Sequence, residues 1–285
     1  MIIVKYITGT GSEEYILNQS YEIMIGSCNP HSSEWTYESI EQKYGVKITS
    51  FGKDVLEIPI TMKYRGTERQ IYQNADDFFA AAERDIINMN PGKLYIGEEY
   101  VTGYFVSHSS AQSSEFYGIQ EELNFLAPYP FWIKEETKSF MPITEGSQTD
   151  EFLDYEYDYQ YDYSVQSGGG VIWQVDHYAP CEFLMTIFGE AADPRITING
   201  HPYQIYTTLL ANEYLQIDSR RNAVTKFLAN GTRQDLFDMR AKYPNPSVFE
   251  PITPGNIAVS WPGSYGFDLT LYLERSEPRW KVQDN

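Results

Sequence analysis

The sequence is poor in cysteine and in basic residues. Its two cysteines, Cys28 and Cys181, lie far apart along the chain, so a disulfide framework is not expected and a reducing compartment is favoured. Lys and Arg number 21 against 40 Asp and Glu, which gives a formal net charge of −19. Phosphate contacts need clustered Lys and Arg, so this balance argues against a surface that binds nucleic acid.

Long apolar runs are also lacking. No stretch approaches the length of a transmembrane helix, and the first residues, Met1 to Tyr6, read as a short strand rather than as a signal peptide. We therefore expect a soluble protein that is made in the cytoplasm.

Catalytic motifs are missing as well. Gly9-Thr10-Gly11-Ser12 lacks the lysine of a phosphate-binding loop and is predicted to be a hairpin turn, and no GxSxG elbow occurs. An acid pair of the glycosidase type remains open, because the many carboxylates supply candidate pairs that sequence cannot sort. We predict a protein that is not an enzyme and that holds neither a metal nor a cofactor. The four histidines lack zinc-site spacing and are predicted to be ordinary surface or packing residues: His31, His108, His177 and His201.

The residues that are abundant favour strands. Aromatics make up 15% of the chain, with 24 Tyr, and Val, Ile and Thr are plentiful. Residues 46–64 carry apolar side chains at alternate positions, which predicts a half-buried strand. One helix is predicted over residues 74–90, with Asn74 as N-cap and with Phe78, Ala82, Ile86 and Met89 on one face.

A domain boundary is predicted where two prolines interrupt this pattern. Ala127-Pro128-Tyr129-Pro130-Phe131-Trp132 cannot continue a regular element, because proline lacks a backbone donor and restricts the residue before it. The sequence thus predicts a first domain of strands with one helix, residues 1–132, and a second domain, residues 133–285. The inter-domain residues are Pro128, Tyr129, Pro130, Phe131 and Trp132.

In the second domain, polar and irregular residues 133–151 are followed by a run in which tyrosine alternates with polar residues. With a period of two, five tyrosines share one face of a strand. We favour an inward-packed sandwich strand; a sugar-stacking platform and a calcium site are the alternatives. Further short strands follow with turn signals such as Asn199-Gly200, which predicts a β-sandwich. The five tyrosines are Tyr155, Tyr157, Tyr159, Tyr161 and Tyr163.

Several segments, in this order, resemble the distal tail protein family of long-tailed phages. The segment 125–132, Phe-Leu-Ala-Pro-Tyr-Pro-Phe-Trp, is similar to the family's inter-domain segment and is the most specific. The run 157–163 is similar to an Asp-Tyr-Pro-Tyr-Asp-Tyr strand, with Gln160 where proline is common. The remaining likeness lies in residues 74–97, 193–200, 212–218, 252–256 and 277–280.

This resemblance implies a tail-tube-like β-sandwich or split barrel with one helix, followed by a galectin-like β-sandwich. It implies a virion structural protein of the tail, made in the host bacterial cytoplasm. Six copies would form a ring around the DNA channel, joining the tail tube to the tail-tip hub or tail-associated lysin. DNA would pass through without specific binding during ejection. Some members of the family also attach receptor-binding proteins.

Two other functions stay open at this point. The Tyr155–Tyr163 face could make the chain a carbohydrate-binding module for host recognition. The chain could equally form the corresponding ring of a phage-derived injection device or tailocin.

Overall fold

The chain folds into two compact units, and the computed structural model describes residues 3–18, 23–112, 119–143, 169–242 and 247–279. The first unit comprises residues 1–134 together with 274–285, and the second comprises residues 135–273. The sequence placed the boundary after residue 132 and assigned residues 274–285 to the second domain. In the structure, the described residues 274–279 group with the first unit.

The first unit consists of antiparallel strands and, among its described residues, one α-helix. Its elements are β1 (Val4–Ile7), β2 (Glu14–Ile16), β3 (Ile23–Cys28), β4 (Thr36–Glu41), β5 (Val46–Gly52), β6 (Leu56–Tyr64), α1 (Glu68–Ile87), β7 (Gly92–Ile96), β8 (Glu99–Gln112), β9 (Ile119–Ala127) and the start of β10 (Trp132–Phe140).

The long strand β8 belongs to two sheets of this unit. Its first half pairs with β7, which continues to β1 and β2, whereas its second half pairs with β9, which continues to β6 and β3. The change of partner occurs at Gly103, where a Cβ atom would lie 2.1 Å from the carbonyl oxygen of Leu126. Only glycine allows the two backbones to approach this closely.

The core of the first unit lies between these sheets and α1. The rings of Tyr6, Phe78, Phe105 and Phe125 pack edge to face with centroids 5.0–6.2 Å apart. Each fully buried side chain of this size contributes about 1.5–3 kcal/mol by leaving water. The alternation predicted for residues 56–62 is confirmed, because every second side chain of β6 is buried.

Helix α1 begins earlier than the sequence predicted. Its N-cap is Thr67 rather than Asn74, and Gln70 Oε1 accepts a hydrogen bond from the Thr67 backbone N–H at 3.0 Å. This is the reciprocal half of a capping box. The predicted face is half right, since Phe78 and Ala82 are buried but Ile86 and Met89 are exposed. The buried side chains of the helix are Ile71, Ala75, Phe78, Ala81, Ala82 and Asp85.

The second unit contains the end of β10 and the remaining strands. These are β11 (Gly169–Val175), β12 (Glu182–Phe188), β13 (Ala191–Ala192), β14 (Arg195–Ile198), β15 (His201–Gln204), β16 (Thr208–Leu209), β17 (Tyr214–Asp218), β18 (Ala223–Phe227), β19 (Arg233–Asp235), β20 (Gly255–Trp261) and β21 (Gly266–Arg275), with a 3₁₀ turn at Phe237–Met239.

Two sheets of the second unit enclose a separate core. One has the order β19-β18-β17-β12-β21-β10, and the other has the order β11-β20-β14-β15. Their alternate residues meet in a cluster that includes Trp173, Phe183 and Trp261. The hairpin predicted at Asn199-Gly200 is confirmed, since both residues have positive φ and lie between β14 and β15. The predicted mainly β chain with one helix and a sandwich is therefore confirmed among the described residues.

Candidate assembly surface

The predicted inter-domain segment lies on the first unit, between β9 and β10. Ala127 ends β9, and the Phe131 backbone N–H donates to the Tyr129 carbonyl oxygen at 2.9 Å, which closes a tight turn. Pro128 is exposed, Pro130 is half-buried, and Trp132 begins β10 as a fully buried member of the first-unit core. The segment is thus anchored at Trp132.

An aromatic cluster forms around this turn. The Phe131 ring lies 5.2 Å from the Tyr129 ring and 6.3 Å from the Trp35 ring, between centroids. Lys53 Nζ lies 5.1 Å from the Trp35 centroid and 5.2 Å from the Phe131 centroid, which is cation–π distance. Desolvation lowers the pKa of Lys53, and the negative charge of Glu277 partly opposes this. We call Trp35, Lys53, Tyr129 and Phe131 the linker cluster.

The segment 274–279 is bound beside the linker cluster. Carboxylates of this segment accept hydrogen bonds from hydroxyl groups, and its own backbone donates to a carboxylate of β8. The segment is thereby fixed on the first unit. The three hydrogen bonds run from Tyr129 Oη to Glu274 Oε2 (2.5 Å), from Ser33 Oγ to Glu277 Oε1 (2.9 Å) and from Arg279 N to Glu99 Oε2 (2.6 Å).

The linker cluster supports the base of an exposed hairpin. Trp35 immediately precedes β4 and Lys53 immediately follows β5, so the cluster contains the residues at which the chain enters and leaves the hairpin. β4 and β5 form a sheet of their own, and every one of their residues is exposed. The half-buried strand that the sequence predicted for residues 46–48 is therefore wrong: those residues belong to an exposed strand.

This hairpin carries large apolar side chains that nothing in the described chain covers. A lone two-stranded hairpin is marginally stable in water, and contiguous exposed apolar surface marks interaction sites. We therefore take the hairpin as the candidate assembly surface. Its exposed large apolar residues are Tyr37, Ile40, Tyr44, Val46, Ile48 and Phe51.

The other predicted sites gave the following results. The Tyr155–Tyr163 face lies outside the described residues. Within the described ranges, no group of three or more His, Cys, Asp or Glu side chains could hold a metal ion. No helix of the described chain is long and apolar enough to cross a membrane.

No protein-family model matches the sequence, and no curated protein matches it significantly. Solved structures do. The Dit protein of phage SPP1, described as a paradigm of the hub adsorption apparatus in phages that infect Gram-positive bacteria, aligns with a TM-score of 0.60 and 10% identity over 95% of this chain and 99% of its own.

Chains of the phage P2 baseplate in its activated conformation align better. The calcium form gives a TM-score of 0.64 with 13% identity, and the strontium form gives 0.64 with 11% identity. Each alignment covers 98% of this chain and 100% of the other. The predicted resemblance is confirmed at the level of the fold: over nearly its whole length, the chain has the fold of the SPP1 Dit protein and of the P2 baseplate chains.

Proposed function

We propose that the chain is a virion structural protein, a distal tail protein whose copies form a hexameric ring between the tail tube and the tail-tip hub. The observation that carries this proposal is the hairpin β4–β5, a ribbon with exposed apolar side chains of the kind that marks a protein-interaction surface. The fold shared with the SPP1 Dit protein and with the P2 baseplate chains agrees with it.

In this proposal the two domains have different tasks. Residues 1–132 build the ring, contact the tail tube on one side and contact the hub or tail-associated lysin on the other. Residues 133–285 project outward and offer a surface for a receptor-binding protein. DNA passes through the ring without specific binding, since a charge of −19 per chain repels phosphate. The role is structural rather than enzymatic, and the site of action is the virion tail.

The oligomeric state of the purified full chain tests the proposal. Size-exclusion chromatography with light scattering, at several protein concentrations, should give a closed ring of six copies, which negative-stain electron microscopy should show as an annulus. A chain that stays monomeric at every concentration, and that also fails to bind tail-tube and hub proteins, would contradict the proposal. The neighbouring genes would separate a phage from an injection device.

A further inference from the structure

The hairpin β4–β5 has one apolar face because of a β-bulge. The register shifts between Glu38 and Ser39, so that Thr49 is an extra residue on β5. Residues directly opposite each other in an antiparallel pair point to the same side of the sheet. The pairs that share one face are Tyr37 with Phe51, Ser39 with Ile48, and Glu41 with Val46.

Without the bulge, the alternation of β5 would place Lys47 and Thr49 beside Phe51. The extra residue instead aligns Val46 and Ile48 with Phe51 and turns Lys47 to the opposite face, where it pairs with Ile40. Tyr37, Val46, Ile48 and Phe51 are 45–63% exposed. We call these four side chains the apolar hairpin face.

A second uncovered apolar surface lies on the same unit, between α1 and β8. Its main apolar walls are Phe79 and Ile86 of the helix and Val106 of the strand. Val106 is pushed outward because it is itself the extra residue of a bulge opposite β9. The groove measures about 200 Å³, whereas small-molecule sites typically measure ~300–1,000 Å³. It has the size to receive protruding side chains.

Tyr72 extends this groove along the helix. Tyr72, Phe79 and Ile86 recur at seven-residue spacing, so they lie on one exposed stripe of α1. The exposed acids Asp76 and Glu83 fall between them on the same stripe. The surface thus offers apolar side chains that are flanked by negative charge.

Charge favours pairing this surface with the hairpin. Residues 36–52 carry two glutamates and two lysines, so the hairpin is neutral within a chain of net charge −19. Two copies that meet through most other surfaces would bring negative charges together, whereas the hairpin adds no net charge beside Asp76 and Glu83 and carries Lys43 in its turn.

We propose that the apolar hairpin face of one copy packs into the α1–β8 groove of a second copy. The contact joins two different surfaces of the same chain, so it is a head-to-tail contact that can repeat and close a ring. This inference rests on the proposed function and names the contact that builds its ring.

Cysteine cross-linking of the full chain tests the contact directly. The double variant Ile48→Cys/Ile86→Cys should form covalent multimers on mild oxidation, up to the number of copies in the ring. The matched control Ile40→Cys/Ile86→Cys replaces an isoleucine on the opposite hairpin face that is 61% exposed, against 45% for Ile48, and it should stay largely monomeric in denaturing gels. Native thiols should not interfere, because Cys181 is buried and burial raises the pKa of Cys28 to about 11.

Charge insertion gives a second readout. Ile48→Glu and Phe79→Glu should each weaken ring formation about tenfold or more, as expected for loss of an interface anchor. Ile40→Glu should leave the ring intact, and circular dichroism should confirm that all three variants fold.

The outcomes separate the contact from the function. Rings that persist in Ile48→Glu and Phe79→Glu, without cross-links in Ile48→Cys/Ile86→Cys, would overturn the contact and leave the proposed function standing. Cross-linking of the hairpin only to a tail-tube or hub protein would also overturn it. Failure of the unmodified chain to form rings, alone or with those proteins, would overturn both.

Discussion

At the scale of single residues, Trp132 bears most of the anchoring of the linker segment. Its ring is fully buried in the first-unit core, although its indole N–H has no hydrogen-bond partner among the described residues. We predict that Trp132→Ala lowers the free energy of unfolding by about 3–5 kcal/mol, the usual cost of emptying a large aromatic site. Urea titration followed by circular dichroism measures this.

Two conservative variants control this prediction. Trp132→Phe should cost far less, because it keeps a ring in the site and removes an unpaired buried donor. Tyr129→Phe removes the exposed hydrogen bond to Glu274 and should cost less than about 1 kcal/mol. Equal losses in all three variants would refute the anchoring role.

Glu213 gives the second unit a pH-dependent stability. Its carboxylate accepts from Lys226 Nζ at 2.7 Å and from the Leu210 backbone N–H at 2.9 Å, and these bonds hold its pKa below the ordinary value of 4.5. A lowered pKa contributes stability above the unfolded pKa, and that contribution is lost as the pH falls through the folded pKa.

We therefore expect Glu213→Gln to be clearly less stable than the unmodified chain at pH 7. The difference should shrink as the pH falls below about 4.5. Thermal unfolding across this pH range measures it. Asp238→Asn alters an exposed pair with Lys242 and should change little at any pH. A difference for Glu213→Gln that is independent of pH would contradict the linkage.

At the scale of elements, α1 is attached to β1 through Asp85. This buried acid lies near the helix C-terminus, where the helix dipole disfavours negative charge. It accepts from Tyr6 Oη at 2.5 Å and from the Gly9 backbone N–H at 3.0 Å. We predict that Asp85→Ala costs about 2–4 kcal/mol by leaving both donors unpaired, measured by chemical unfolding. Asp76→Ala on the exposed face should stay within about 0.5 kcal/mol.

Some of these elements could be predicted from the local sequence, and others could not. Alternation identified β6, and the paired prolines mark the turn between β9 and β10. The start of α1 also has a local sequence signal, because Thr67 and Gln70 have the spacing of a capping box. The bulge at Thr49 could not be predicted from the sequence, because it depends on the pairing with β4 rather than on the composition of β5. For the same reason, the apolar hairpin face could not be predicted.

At the scale of the whole molecule, net charge opposes assembly. Each chain contributes −19, while the proposed contact depends on apolar burial. Salt shortens the Debye length from ~30 Å at 0.01 M to ~8 Å at 0.15 M, which screens the repulsion between copies. We predict that the fraction of chain in rings rises over this range of sodium chloride, as measured by light scattering. Dissociation on adding salt would instead indicate that ion pairs dominate the contact.

Hydrogen bonds between residues that are far apart in the sequence could not be predicted. Arg279 bonds to Glu99 across 180 positions, and Glu277 bonds to Ser33 across 244. No local pattern encodes such a contact, so residues 277–279 carry no sequence signal for their grouping with the first unit.

The return of residues 274–279 to the first unit has a mechanical consequence. The second unit is continuous, residues 135–273, and the chain enters it once and leaves it once. The chain crosses between the units twice, in β10 and in β21, so a pulling force on the second unit is shared between two covalent connections. A protease that cuts one of them leaves the second unit covalently attached through the other.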